Sequence, residues 1–123
     1  MASETSGVVR YAFRDGADGA WQISEVGRLD NVFLGFTGAR NITSITVDDE
    51  AHPWIAFSDE AVLKLARVED GRWQSETVAE AGDTPFGQVI SLDLDGDGRP
   101  HIAYALVTSK GPLNGSVWHA TRD

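Results

Sequence analysis

The run Asp93-x-Asp95-x-Asp97-Gly98 sets carboxylates at alternate positions and closes them with a glycine. Such spacing can gather several hard oxygens around one cation, as calcium loops require. Asp93, Asp95 and Asp97 are therefore the candidate metal ligands, and calcium is the cofactor they would take. Two departures weaken that chemistry. Calcium-binding repeats of this pattern usually carry another acid four residues after the third Asp, where this chain has His101. An EF-hand would need a Glu at the twelfth position, which is Tyr104. The competing reading is an Asp/Gly hairpin turn with positive backbone φ, which needs no metal.

Other chemistry is sparse. The sequence has no cysteine, so neither a disulfide nor a thiolate ligand or nucleophile can form. The three histidines, His52, His101 and His119, do not fall at a helical zinc spacing. No Ser-His-Asp order, glycine-rich phosphate loop or pair of catalytic carboxylates stands out, so no catalytic residue is assigned and an enzyme is not expected. A net charge of −9 disfavours nucleic acid and anionic membrane surfaces as partners. Met1 to Gly7 is small and polar, so no secretory signal is expected there.

The elements that must position these residues are announced by an internal repeat. Ser44-Ile45-Thr46-Val47-Asp48, followed by Pro53-Trp54-Ile55-Ala56-Phe57, returns as Ser91-Leu92-Asp93-Leu94-Asp95 and Pro100-His101-Ile102-Ala103-Tyr104, at an offset of 47. Val9-Arg10-Tyr11-Ala12, Leu63-Lys64-Leu65-Ala66 and Val117-Trp118-His119-Ala120 form a second unit, spaced by 54. A third unit is Trp21-Gln22-Ile23-Ser24-Glu25-Val26, matched by Trp73-Gln74-Ser75-Glu76-Thr77-Val78. The units recur in one cyclic order, which chance does not readily supply.

Each unit reads as a strand. Ile45 and Val47, like Leu92 and Leu94, alternate with polar residues at the period of a half-buried strand. Asp15-Gly16, Asp70-Gly71 and Asp95-Gly96-Asp97-Gly98 are turn signals. One period holds four strands, expected at Ser44 to Val47, Trp54 to Phe57, Val62 to Val68 and Trp73 to Val78. The longer second offset implies an enlarged loop from Ala105 to Ser116, with turns at Lys110-Gly111-Pro112 and Asn114-Gly115. The fold class is all-β, with propeller blades of four antiparallel strands and an incomplete ring in one chain. The chain divides into a partial blade over 8–43, a full blade over 44–90 and a partial blade over 91–123.

The repeat also assigns roles. His101 aligns with Trp54 and His119 with Leu65, so both are expected to fill structural strand positions. Trp21 and Trp73 recur at the start of the outer strand and are expected to pack between blades. Trp118 aligns with Arg10 and Lys64, which makes it the candidate exposed aromatic for stacking on a ligand such as a sugar ring.

The stretch from Ser91 to Tyr104, with strands of the Val117-Trp118-His119-Ala120 and Trp73 to Val78 types, resembles the repeats of bacterial sialidase-like β-propeller proteins. The resemblance runs from Val8 to Asp123 and implies architecture. It does not imply sialidase activity, since the aspartate-box pattern Ser-x-Asp-x-Gly-x-x-Trp is absent from the turns and no arginine triad can be assigned. An extracellular or periplasmic location would follow if the chain is part of a secreted bacterial propeller.

Nine strands in groups of two, four and three cannot close a ring of four to eight blades. Open strand edges favour pairing with another chain. The expected partner is therefore a second copy in a homo-oligomer, the incomplete C-terminal blade of one copy completed by the N-terminal strands of the next, with three copies supplying about six blades, although the third-strand unit at both ends leaves one strand surplus. The expected function is a non-catalytic binding or structural module for carbohydrate or protein. The alternative is an excised part of a larger sialidase-like or other glycan-processing propeller enzyme.

Overall fold

A computed structural model of the chain describes residues 7–29, 43–59, 62–80, 86–108 and 114–122. All its regular elements are strands: β1 (Gly7–Phe13), β2 (Gln22–Leu29), β3 (Thr43–Val47), β4 (Pro53–Asp59), β5 (Val62–Glu69), β6 (Arg72–Glu80), β7 (Phe86–Leu94), β8 (Pro100–Thr108) and β9 (Asn114–Thr121). They form three antiparallel meanders: sheet I (β1-β2), sheet II (β3-β4-β5-β6) and sheet III (β7-β8-β9).

The local causes are those of short hairpins. Asp70 (φ 54°) and Gly71 (φ 78°) close β5 onto β6 with Glu69 opposite Arg72, a two-residue turn with positive φ at both positions. Pro53 and Pro100 open β4 and β8, where a missing ladder N–H costs least. A register shift falls between Val9 and Arg10 in sheet I and again between Leu63 and Lys64 in sheet II, 54 residues on. The repeat thus extends to the bulges.

Packing runs face to face between consecutive sheets. Ile55, Phe57 and Ala66 of sheet II meet Val9, Val26 and Leu29 of sheet I. On the other side, Trp54, Ala56, Leu63 and Leu65 meet Ile90, Leu92, Ile102 and Tyr104 of sheet III. Sheet II is therefore apolar on both faces, and Trp54 through Ser58 in β4 are all buried. The inner strands are pinned as well: the Leu92 backbone N–H donates to Ser44 Oγ at 3.0 Å.

The expected long loop from Ala105 to Ser116 is not what forms. Thr108 pairs with Asn114, Val107 with Gly115 and Leu106 with Ser116, so most of that segment extends the β8–β9 hairpin. The alternation of the ladder wins over the turn tendency of Asn114-Gly115, which lies in β9. Lys110-Gly111-Pro112 lies outside the described residues. The remaining strands run slightly longer than expected, and β7 starts at Phe86, ahead of the repeated Ser91.

Candidate functional site

The Asp93–Gly98 segment is built as a turn whose centre is the Asp95 carboxylate. The Gly98 N–H donates to the Asp95 carbonyl at 2.9 Å, and the Asp95 N–H donates to the Arg99 carbonyl at 2.9 Å. Asp95 Oδ1 accepts the backbone N–H groups of Asp97 (2.8 Å) and Arg99 (3.0 Å). Its Oδ2 takes His101 Nε2 at 2.9 Å and Arg99 Nε at 3.2 Å. Gly98 supplies the left-handed φ of 79° that closes the turn.

One period earlier the same device appears with different side chains. Asp48 Oδ1 accepts the N–H groups of Glu50 (2.9 Å) and His52 (2.8 Å), and Oδ2 accepts Trp54 Nε1 at 3.3 Å. The matching backbone pair, Ala51 N–H to Asp48 O and Asp48 N–H to His52 O, measures 3.0 Å in each bond. Ala51 stands in the left-handed region (φ 67°) where the later turn has its glycine. His101 thus replaces an indole whose nitrogen can only donate. Hydrogen bonds to the charged form hold both carboxyls below the usual range. His101 and then the Arg99 amide do most for Asp95, while the His52 amide leads for Asp48.

These contacts decide what the three aspartates do in the structure. Both Asp95 oxygens are saturated by donors, Asp97 Oδ2 pairs with Arg99 Nη2 at 2.8 Å, and Asp93 Oδ1 takes the neighbouring Leu94 N–H at 2.9 Å. A cation at Asp95 would face four positively polarised hydrogens. Among the described residues, no group of three or more His, Asp or Glu side chains is arranged to hold a metal ion. The geometry is that of the Asp/Gly turn.

A second interaction was not foreseen from sequence. His101 Nδ1 lies 2.9 Å from His119 Nε2. The two rings are within 5° of parallel with centroids 5.1 Å apart. That separation is the nitrogen–nitrogen distance plus two ring radii, so the imidazoles lie side by side in nearly one plane rather than face on face. Asp95, His101 and His119 form a carboxylate–imidazole–imidazole line on the outward face of sheet III. Asp93 is the cross-strand partner of His101 on that face.

No protein family, curated protein or solved structure matches this chain.

The aromatic candidates separate by position. Trp118 is 52% exposed on the edge strand β9, with Nε1 donating to Ser116 Oγ at 2.7 Å. Trp73 packs between sheets, edge-on to Tyr11 at 5.4 Å and donating to Ser24 Oγ at 3.0 Å. Trp21, its counterpart, is 60% exposed and meets only the Arg14 guanidinium at 5.0 Å among its described contacts. The expectation of inter-sheet packing holds for Trp73 and not for Trp21, because no described sheet lies on the far side of sheet I. A cleft of about 220 Å³ opens between the outer strands of sheets II and III. It is floored by Leu65, Val78, Ile102 and Ala120 and bridged by an ion pair between Arg122 and Glu76.

Proposed function

We propose that the chain is a propeller-type structural and binding module whose sheets act as blades, and that its open ends seat a second copy head to tail. The observation that supports this is a mismatch in exposure between equivalent positions of the repeat. Leu63 is fully buried under sheet III, whereas Val117, 54 residues on, is 84% exposed. Leu92 is 6% exposed against sheet II, whereas Ile45, 47 residues earlier, is 53% exposed. Trp21 and Ile23 on the outer face of sheet I are likewise exposed.

Val117 has the apolar character of its buried equivalent Leu63 and lacks a neighbouring sheet, and Trp21 stands likewise to the half-buried Trp73. The two open surfaces are of opposite type. Sheet III presents the face that in sheet II covers the next sheet, and sheet I presents the face that in sheet II receives the preceding one. A head-to-tail contact between such faces would be a reduced form of the two junctions within the chain, since sheet I offers two strands, and it closes into a ring where the rotation allows. Side chains of this size contribute roughly 1.5–3 kcal/mol each when fully buried.

Solution mass by light scattering tests the proposal. The expected mass is a multiple of the chain, and two chains stacked in this way would supply six sheets, within the four to eight blades of a closed ring. Val117→Asp and Ile23→Asp, one on each open face, should each shift the mass to that of one chain while leaving the far-ultraviolet circular dichroism unchanged. A parent protein that stays monomeric at every concentration overturns self-assembly and leaves the open faces to further sheets of a longer chain.

A further inference from the structure

We infer that His101 and His119 form a two-histidine chelate for a divalent copper or nickel ion, with Asp95 as the positioning carboxylate. The two histidines share the open face of sheet III with Val117, so the site belongs to a face no second copy covers and is tested on single-chain protein, the Ile23→Asp variant where the parent assembles.

The nitrogens facing one another are His101 Nδ1 and His119 Nε2, 2.9 Å apart. In that in-line contact the two lone-pair directions oppose one another, so an ion takes the Nδ1 lone pair of the anchored His101 and the exposed His119 ring swings to meet it at about 2.0–2.1 Å. Imidazole is a preferred ligand for both copper and nickel, and the affinity order places copper highest.

The tautomer of His101 is already the one a ligand needs. Its Nε2 lies 2.9 Å from Asp95 Oδ2, the carboxylate position that accepts the Trp54 N–H in the preceding period. His101 therefore carries its proton on Nε2 and keeps a lone pair on Nδ1. A carboxylate bound to the far nitrogen of a metal-ligating histidine is the usual outer-shell arrangement, fixing ring orientation and raising basicity. Asp95 is itself held by two backbone N–H groups and Arg99, so the ring cannot drift with a mobile carboxylate.

His119 completes the pair from the next strand. The ladder sets His119 opposite Ala103, one diagonal step from His101 on the same face. It is exposed, so its ring can tilt to share an ion instead of a proton. On binding, both lone pairs go to the metal and the His119 proton moves by exchange with water from Nε2 to Nδ1. Asp93 adds a negative charge on the same face, and Arg99 is engaged by Asp95 and Asp97. The pair supplies two ligands and water fills the remaining positions.

The test is calorimetric titration of the tag-free protein with nickel chloride, repeated with copper under electron paramagnetic resonance. One saturable ion per chain is expected, with nitrogen coupling in the copper spectrum. His119→Ala, at an exposed position, should abolish binding without changing the melting temperature. Asp95→Asn should weaken binding about tenfold to a hundredfold. His52→Ala, at the remaining histidine, should leave it unchanged. Absence of one-to-one binding, survival of binding in His119→Ala, or its loss in His52→Ala overturns the site. Unchanged affinity in Asp95→Asn overturns the role given to the carboxylate.

Discussion

Asp48 and Asp95 perform one task with two different side chains above them. Each ties a turn to the following strand by accepting two backbone N–H groups on one oxygen and a ring N–H on the other. Both carboxyls are held below their unfolded value, so the stabilisation they provide is complete above about pH 4 and is lost as the pH falls further. Thermal unfolding followed from about pH 7 down to pH 3 should show this loss. Asp95→Asn should lower the melting temperature at neutral pH and flatten the acid limb, since the substituted side chain no longer titrates. An acid limb as steep as the parent's would show that other carboxyls govern it. The turn itself was legible in Asp-x-Asp-Gly, while the donors gathered on the Asp95 oxygens were not. The histidine pair was not read, because its register was hidden by the extra residues between β8 and β9. The β8–β9 ladder, which sets Thr108 opposite Asn114, carries Ala103 opposite His119 and so brings His101 diagonally across from it.

At the scale of elements, burial follows the number of covered faces rather than the hydrophobicity of the strand. β4 carries buried side chains on both faces, while β9 presents exposed Val117 and Trp118. Leu63 and Val117 occupy equivalent positions of β5 and β9, and this makes them a matched pair of probes. Leu63→Ala should cost about 2–5 kcal/mol in denaturant unfolding, the range for emptying a buried leucine site. Val117→Ala should change the stability of a single chain by no more than about 0.5 kcal/mol. Equal costs would mean that the open face of sheet III is covered in solution, which a mass measurement then resolves. Strand number and order were readable from the repeat, because apolar alternation and Asp/Gly turns recur in one order. Which faces stay open was not, because Ile45 and Leu92 look alike until their neighbours are known.

For the molecule as a whole, the three sheets stack in chain order with sheet II in the middle, and stability should be graded accordingly. Amide hydrogen exchange is expected to be slowest in β4 and β5, whose ladders are flanked by strands within the sheet and by cores on both faces. In the single-chain Val117→Asp variant, sheet I, a two-stranded ribbon covered on one side, should exchange fastest among the described strands, since an isolated hairpin is marginal in water. Uniform protection across all three sheets would contradict this gradient and would indicate that the end sheets are capped.

The hydroxyl of Ser44, accepting from the Leu92 amide, has a counterpart whose position carries a further meaning. Ser91 lies 47 residues later on the exposed side of β7. By the repeat, its oxygen would accept an N–H group from an inner strand laid against β7 as β7 is laid against β3. A slip of one residue along the strand would set a side chain against that hydroxyl instead, and a reversed strand would change the polarity of the match. A single exposed serine would thus serve as an alignment key, matching an inner strand in one direction and at one shift.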